Sequence, residues 1–153
     1  MKKNVEVLQK LTDEFLGLMS TKAKAEASFD KDNDSFIVDV DAGDETGLLI
    51  GKKGETLLAI QTVLGFLLKQ KIGEWKRVLV NVGDYREKEE SYLKDLAATT
   101  AQRAKETGQA QNLYNLKPWQ RRVIHMVLSE DKEVTTESEG EGEDRFLVIK
   151  PKK

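Results

Sequence analysis

Two short constellations carry the chemistry available to this sequence. Residues 49–57 read Leu-Ile-Gly-Lys-Lys-Gly-Glu-Thr-Leu, so Gly51 and Gly54 bracket Lys52 and Lys53 between two apolar stretches. Glycines allow a tight turn and the close approach of another backbone. A helix starting at or near Gly54 would aim its free N–H groups and positive dipole end at whatever lies over the loop. The two lysines add formal charge there, giving a compact anion site suited to a nucleic-acid phosphate. The second constellation is Arg121 and His125. Four apart on a helix, they share one face. Such a pair is common on helix surfaces, and its meaning depends on its surroundings.

The elements that position these residues follow from periodicity. Val5, Leu8, Leu11, Phe15, Leu18 and Met19 fall at helical spacing. Ala23 to Phe29 and Ser35 to Val40 read as strands around an Asp30–Asp34 turn, the second alternating Phe36, Val38 and Val40 against Ile37, Asp39 and Asp41. A short helix over Asp44–Leu49 precedes the glycine loop. A longer helix follows from Gly54 to about Lys71, ended near Gly73, and Trp75 to Val82 closes the unit as a strand. A second unit starts at Asp84, which has capping-box spacing to Glu87. Its helix runs to about Thr107 and stops at Gly108. Gln109–Leu116 is then expected as a strand, Pro118–Ser129 as a helix, and Val134–Ser138 with Arg145–Ile149 as a closing hairpin.

Composition removes several function classes. The net charge of −2 argues against gripping duplex DNA through a broad basic face, but not against a single-strand groove with a basic lip. With no cysteine and one histidine, thiolate metal sites are excluded and a serine triad would have to be built on His125. No serine sits in a nucleophile elbow and no Walker loop is present, so the sequence supports binding rather than catalysis, with no cofactor. No segment reaches the roughly 20 apolar residues of a membrane span. The opening Met1-Lys2-Lys3 leads into an amphipathic pattern rather than a signal-peptide core, and a cytoplasmic location is expected. Asp30, Asp32 and Asp34 begin like a calcium loop, but Ser35 and Asp41 stand where glycine and glutamate are needed, so a hairpin turn is expected.

Ile50, Gly51, Lys52, Lys53, Gly54 and Leu57 resemble the Ile-Gly-x-x-Gly loop of the KH domain, which clamps the backbone of about four nucleotides. The element order αββααβ over residues 1 to about 82 is similar to its bacterial, type II form. The stretch Pro118–His125, with Thr136–Gly142 and Arg145, resembles the Arg-x-x-x-His, or R-three-H, domain, and more narrowly the version found in the bacterial Jag (KhpB) family. Those proteins join a type II KH domain directly to an R-three-H domain. The family's N-terminal Jag domain and linker are not found in this sequence, so functions depending on them are not expected to carry over. Lys117 also departs from the Ser or Asn expected as a helix cap.

The resemblance implies an α+β protein of two small domains: a type II KH domain over residues 1–83 and an R-three-H domain over 84–153. It implies single-stranded RNA, or single-stranded DNA, as ligand. The backbone would lie across Gly51–Gly54 with Lys52 and Lys53, and bases would face a groove of Leu48, Ile50, Leu57 and residues of the Ser35–Val40 strand. In the second domain Arg121 would pair with phosphate or stack, His125 would stack or hydrogen-bond, and Arg122 would add a phosphate contact. Trp119 is either a stacking platform or packing over the helix start. The acidic loop is expected to carry Ser138 close to Arg121 or His125. Regulation of transcripts for cell-envelope growth and division is implied, with a small KH-only partner or a homodimer. The competing reading is a protein-interaction module in which the KH surface dimerises and the glycine loop is structural.

Overall fold

A computed structural model describes residues 1–152, which divide into two compact units, residues 1–86 and 87–152. Each has its own three-stranded sheet and its own apolar core, and the protein is mixed α+β.

In the first unit, α1 (Lys2–Leu18) leads to β1 (Lys24–Asp30) and β2 (Ser35–Asp41), then α2 (Thr46–Ile50), α3 (Glu55–Ile72) and β3 (Arg77–Val82). Short 3₁₀ turns flank α2 at Gly43–Glu45 and Lys52–Gly54. β2 is the central strand, antiparallel to β1 and parallel to β3. A parallel pair needs a long crossover, and the α2–loop–α3 segment supplies it. Strand alternation puts Phe36, Val38 and Val40 of β2 and Val78, Val80 and Val82 of β3 on one buried face. Against it pack Leu57, Ile60, Leu64 and Leu68 of α3 and Leu8, Leu11 and Leu16 of α1. Burying each such side chain contributes about 1.5–3 kcal/mol.

Two sequence expectations need correction in this unit. Leu18, assigned to the apolar stripe of α1, is exposed, and Leu16 and Thr12 take the buried positions. Leu18 is the last residue of α1, where the chain turns away from the core. The closing strand begins at Arg77, two residues after the expected Trp75, whose ring instead lies edge-on to Phe66 at 5.6 Å. The Asp30 turn is an Asx turn: its carboxylate accepts the Asp32 N–H at 3.0 Å and the Asn33 side-chain amide at 2.7 Å. The Asn33 amide, joined by the backbone N–H groups, holds the Asp30 carboxyl below its ordinary value.

The second unit comprises α4 (Tyr85–Thr107), β4 (Gln111–Leu113), α5 (Pro118–Leu128), β5 (Val134–Glu139) and β6 (Phe146–Pro151), with α4 beginning just before the unit boundary. β6 is central and antiparallel to both neighbours. Leu93, Ala97, Ala101 and Ala104 form the buried stripe of α4 against Ile124 and Leu128 of α5 and Val134, Leu147 and Ile149 of the sheet. β4 is three residues long rather than the eight of Gln109–Leu116. Asn115, at φ +58°, leaves extended geometry, and the chain then turns into Pro118. Lys105 of α4 ties down the α5–β5 connection through Asp131 at 2.9 Å and Glu133 at 3.1 Å. No helix among the described residues is long and apolar enough to cross a membrane.

Candidate nucleic-acid interface

The glycine loop is built from backbone geometry. Gly51 (φ +70°), Lys53 (φ +53°) and Gly54 (φ +75°) all lie in positive-φ space, which disfavours side chains with a Cβ. A Cβ on Gly51 would meet the Thr56 hydroxyl and lie 3.0 Å from the Thr56 amide nitrogen. A Cβ on Gly54 would lie 2.9 Å from the Tyr85 hydroxyl and 3.3 Å from its ring. Both glycines are therefore fixed by conformation and by a close neighbour at once. Gly54 is buried beneath Tyr85 and serves as the cap residue of α3, where it has no side chain to occupy the first-turn N–H groups. Lys52 and Lys53 are exposed on this turn, with Glu55 the acidic neighbour at the helix start.

The apolar residues around the loop separate into two roles. Leu48 is exposed and Ile50 is half-buried, so both present surface beside the turn. Leu57 is buried in the core and supports the loop from beneath rather than facing a ligand. The expected contribution of β2 to an apolar groove does not fit the geometry. Phe36, Val38 and Val40 of that strand pack into the core, and only Ile37, half-buried on the opposite face, remains as an apolar side chain outside it.

The second constellation is a ridge on α5. Helical spacing places Gln120, Ile124 and Leu128 on the buried side, Arg121 and His125 beside them, and Arg122, Met126 and Trp119 outermost. Arg121 is anchored: its Nη1 donates to the Leu116 carbonyl at 2.6 Å. The His125 Nδ1 is hydrogen-bonded to the Thr136 hydroxyl of β5. Thr136 and Ser138 sit on the same face of β5, two residues apart. The hydrogen bond to the histidine is made by Thr136, a residue that the sequence did not single out for it.

The start of α5 explains the unusual Lys117 cap. The Gln120 side chain reaches back to accept the Lys117 N–H at 2.7 Å, the reciprocal half of a capping box. Its amide donates to Glu89 of α4 at 2.9 Å, which satisfies this buried side chain and fixes the helix start. Trp119 is partly exposed one residue away. Sequence reasoning missed Thr56, Tyr85, Gln120 and Thr136. The Lys117-Pro-x-Gln120 spacing was a usable clue to the reciprocal cap, and Thr56 lies within the loop motif itself, five residues from Gly51; Tyr85 and Thr136 depend on contacts distant in sequence.

A helix row presenting arginine and histidine beside a small antiparallel sheet defines a domain class. Residues 91–151 match the R-three-H domain, and the second unit carries that domain. Over 111 residues the chain is 35% identical to RNA-binding protein KhpB of Clostridium symbiosum, covering 72% of this chain and 50% of that protein. It is 36% identical over 113 residues to RNA-binding protein KhpB of Bacillus subtilis (strain 168), covering 72% of this chain and 54% of that protein. A third KhpB, from Lactiplantibacillus plantarum, is 36% identical over 103 residues, which span 32% of its length. The chain thus spans about half the length of the first two relatives and less of the third.

Proposed function

We propose that this chain is a KhpB (Jag) family protein that binds single-stranded RNA through two modules, a type II KH domain over residues 1–83 and the R-three-H domain over 84–153. The observation that carries the reading is the similarity, at 35–36% identity over more than 110 residues, to proteins named RNA-binding protein KhpB. The geometry of both constellations supports it. The RNA backbone would lie across Gly51–Gly54, held by backbone N–H groups and by Lys52 and Lys53, with Leu48 and Ile50 beside it. Arg121 and His125 would grip another stretch of the strand, Arg122 adding a phosphate contact and Trp119 a stacking surface. Single-stranded DNA would be tolerated to the extent that no contact requires the ribose 2′-hydroxyl. Two weak sites on one chain gain affinity through effective concentration when one RNA spans both.

The cellular role that follows is post-transcriptional regulation in the bacterial cytoplasm, touching envelope growth and division, by binding rather than catalysis. One observation favours an added partner role. Phe66 and Trp75 are 59% and 57% exposed, and with Val63 they form an apolar surface on the first unit. Surfaces of this kind mark interaction sites, and a second copy or a KH-only protein would fit. Replacing Lys52 and Lys53 by glutamate separates the readings. Affinity for a short labelled RNA falls at least ten-fold with an unchanged fold if the loop is a clamp, and stays the same if the loop is only structural.

A further inference from the structure

The outer edge of a sheet exposes main-chain donors and acceptors unless something covers it. In the first unit both edges are engaged by side chains. Gln9 of α1 donates to the Ala25 carbonyl and accepts the Ala27 N–H, both at 2.8 Å, and so stands in for a neighbouring strand beside β1. On β3 the Gln61 side-chain oxygen accepts the Val80 N–H at 3.1 Å, and Arg86 donates to the Val80 carbonyl at 3.2 Å. The second unit leaves β5 uncovered. The Lys152 N–H donates to the Glu133 carbonyl at 2.7 Å, which fixes the alternation of the β5–β6 ladder. Thr135, Glu137 and Glu139 therefore bond toward β6, and Thr136 and Ser138 turn their N–H and C=O groups outward. Among the described residues those main-chain groups have no partner. β4, at the opposite edge, is three residues long and turns only Asn112 outward.

An open edge fits an extended chain, which adds as a further strand through main-chain hydrogen bonds. The charges beside it select that chain. Glu137 and Glu139 project from the face of β5 opposite to Thr136 and share Lys150 as a single cation, at 2.8 Å and 3.5 Å. The loop that follows adds Glu141, Glu143 and Asp144 before Arg145. A second copy paired antiparallel on this edge would set these glutamates against their equivalents, and like charges across a ladder are destabilising. A nucleic-acid backbone would meet the same repulsion. A strand with lysine or arginine at alternate positions would instead place its cations beside Glu137 and Glu139, and its main chain along Thr136 and Ser138.

We infer that the free edge of β5 is a docking site for a basic, extended segment of a partner protein, which joins the second sheet as a fourth strand. The test uses the full chain and a fluorescently labelled peptide of about eight residues, the length of an ordinary strand, alternating lysine and valine. A peptide with glutamate in place of lysine is the control, and binding is followed by anisotropy. Ser138→Ala keeps the outward N–H and binds the lysine peptide within about two-fold of wild type. Ser138→Pro removes that donor without removing a bond to β6, and binds roughly ten-fold more weakly. The glutamate peptide does not bind. Equal binding by Ser138→Pro and wild type overturns the added strand and leaves only charge attraction. Binding of the glutamate peptide as tightly as the lysine one, or no binding of the lysine peptide at millimolar concentration, overturns the basic partner. Should Ser138→Pro fail to fold, amide hydrogen exchange of the wild-type chain decides. Slowed exchange at Thr136 and Ser138 on adding the lysine peptide supports the site, and unchanged exchange refutes it. The same slowing on concentrating the chain without peptide would assign the edge to a second copy and overturn the basic partner.

Discussion

The two candidate sites solve the same problem with different materials. In the first unit the anion site is made of backbone: three positive-φ residues in four, two of them glycines closed in by Thr56 and Tyr85. In the second it is made of side chains on a helix row, each held by one polar partner, Leu116 for Arg121 and Thr136 for His125. A backbone site tolerates little change of shape at its glycines, while the two lysines between them set its charge rather than its fold. A side-chain site behaves the other way round: single truncations weaken it without disturbing the helix. Substitutions can break or sharpen that contrast.

The largest effect is expected at Gly51. Gly51→Ala forces a Cβ into positive-φ space and against Thr56, which should destabilise the first unit by about 1–3 kcal/mol and lower RNA affinity more than ten-fold. Chemical denaturation and anisotropy read the two effects separately. A Gly51→Ala protein as stable and as tight-binding as wild type would remove the backbone basis of the site. Next comes Arg121→Ala, which removes a charged donor from the half-buried Leu116 carbonyl as well as the ridge cation. Stability should fall by about 1–2 kcal/mol, RNA binding should weaken several-fold, and the salt slope should drop by about one. Arg121→Lys should restore the charge without the planar fork and recover only part of the affinity.

A smaller change is expected from Thr136→Val, which removes the hydroxyl partner of His125 at nearly constant volume. The imidazole loses its anchor, and RNA affinity should fall about two- to three-fold, an effect comparable to one neutral hydrogen bond. An unchanged affinity with His125→Ala also unchanged would take the histidine out of the site. The smallest effect belongs to the Lys105 clamp. The hydrogen bond from Lys105, then one from the Glu133 N–H, holds the Asp131 carboxyl below its ordinary value, and Asp131 followed by Glu133 raises Lys105. The lowered carboxyl contributes stability above its unfolded-state pKa, and that contribution is lost as pH falls through the folded value. The raised lysine contributes below its unfolded-state pKa, and loses that contribution as pH rises through the folded one. Asp131→Asn should therefore flatten the acid limb of the stability–pH curve slightly, measured by thermal melting across pH.

Much of the framework was legible because it rests on periodicity. The alternation of Phe36, Val38 and Val40 and the spacing of Leu57, Ile60, Leu64 and Leu68 each define a buried face within a single element. Errors arose where an element ends. Leu18 fits the α1 stripe by spacing but lies in its last turn, and β4 stops early because Asn115 adopts positive φ, which no apolar pattern announces. The loop glycines were legible as a motif, whereas Tyr85 over Gly54 was not, since thirty-odd residues separate them. The same limit hid Thr136 beside His125, and it makes β2 a poor groove wall despite its apolar sequence. Its apolar residues Phe36, Val38 and Val40 are taken up by the core, which only the packing of α1 and α3 on that face reveals.

The most direct measurement is a titration of a short labelled single-stranded RNA with the wild-type chain, followed by anisotropy at low and moderate salt. The account predicts saturable binding that weakens as salt rises, since Lys52, Lys53 and Arg121 displace counterions from phosphates. No binding at low salt across RNAs of varied sequence would contradict it and leave the exposed Phe66–Trp75 surface as the basis for a protein-binding role.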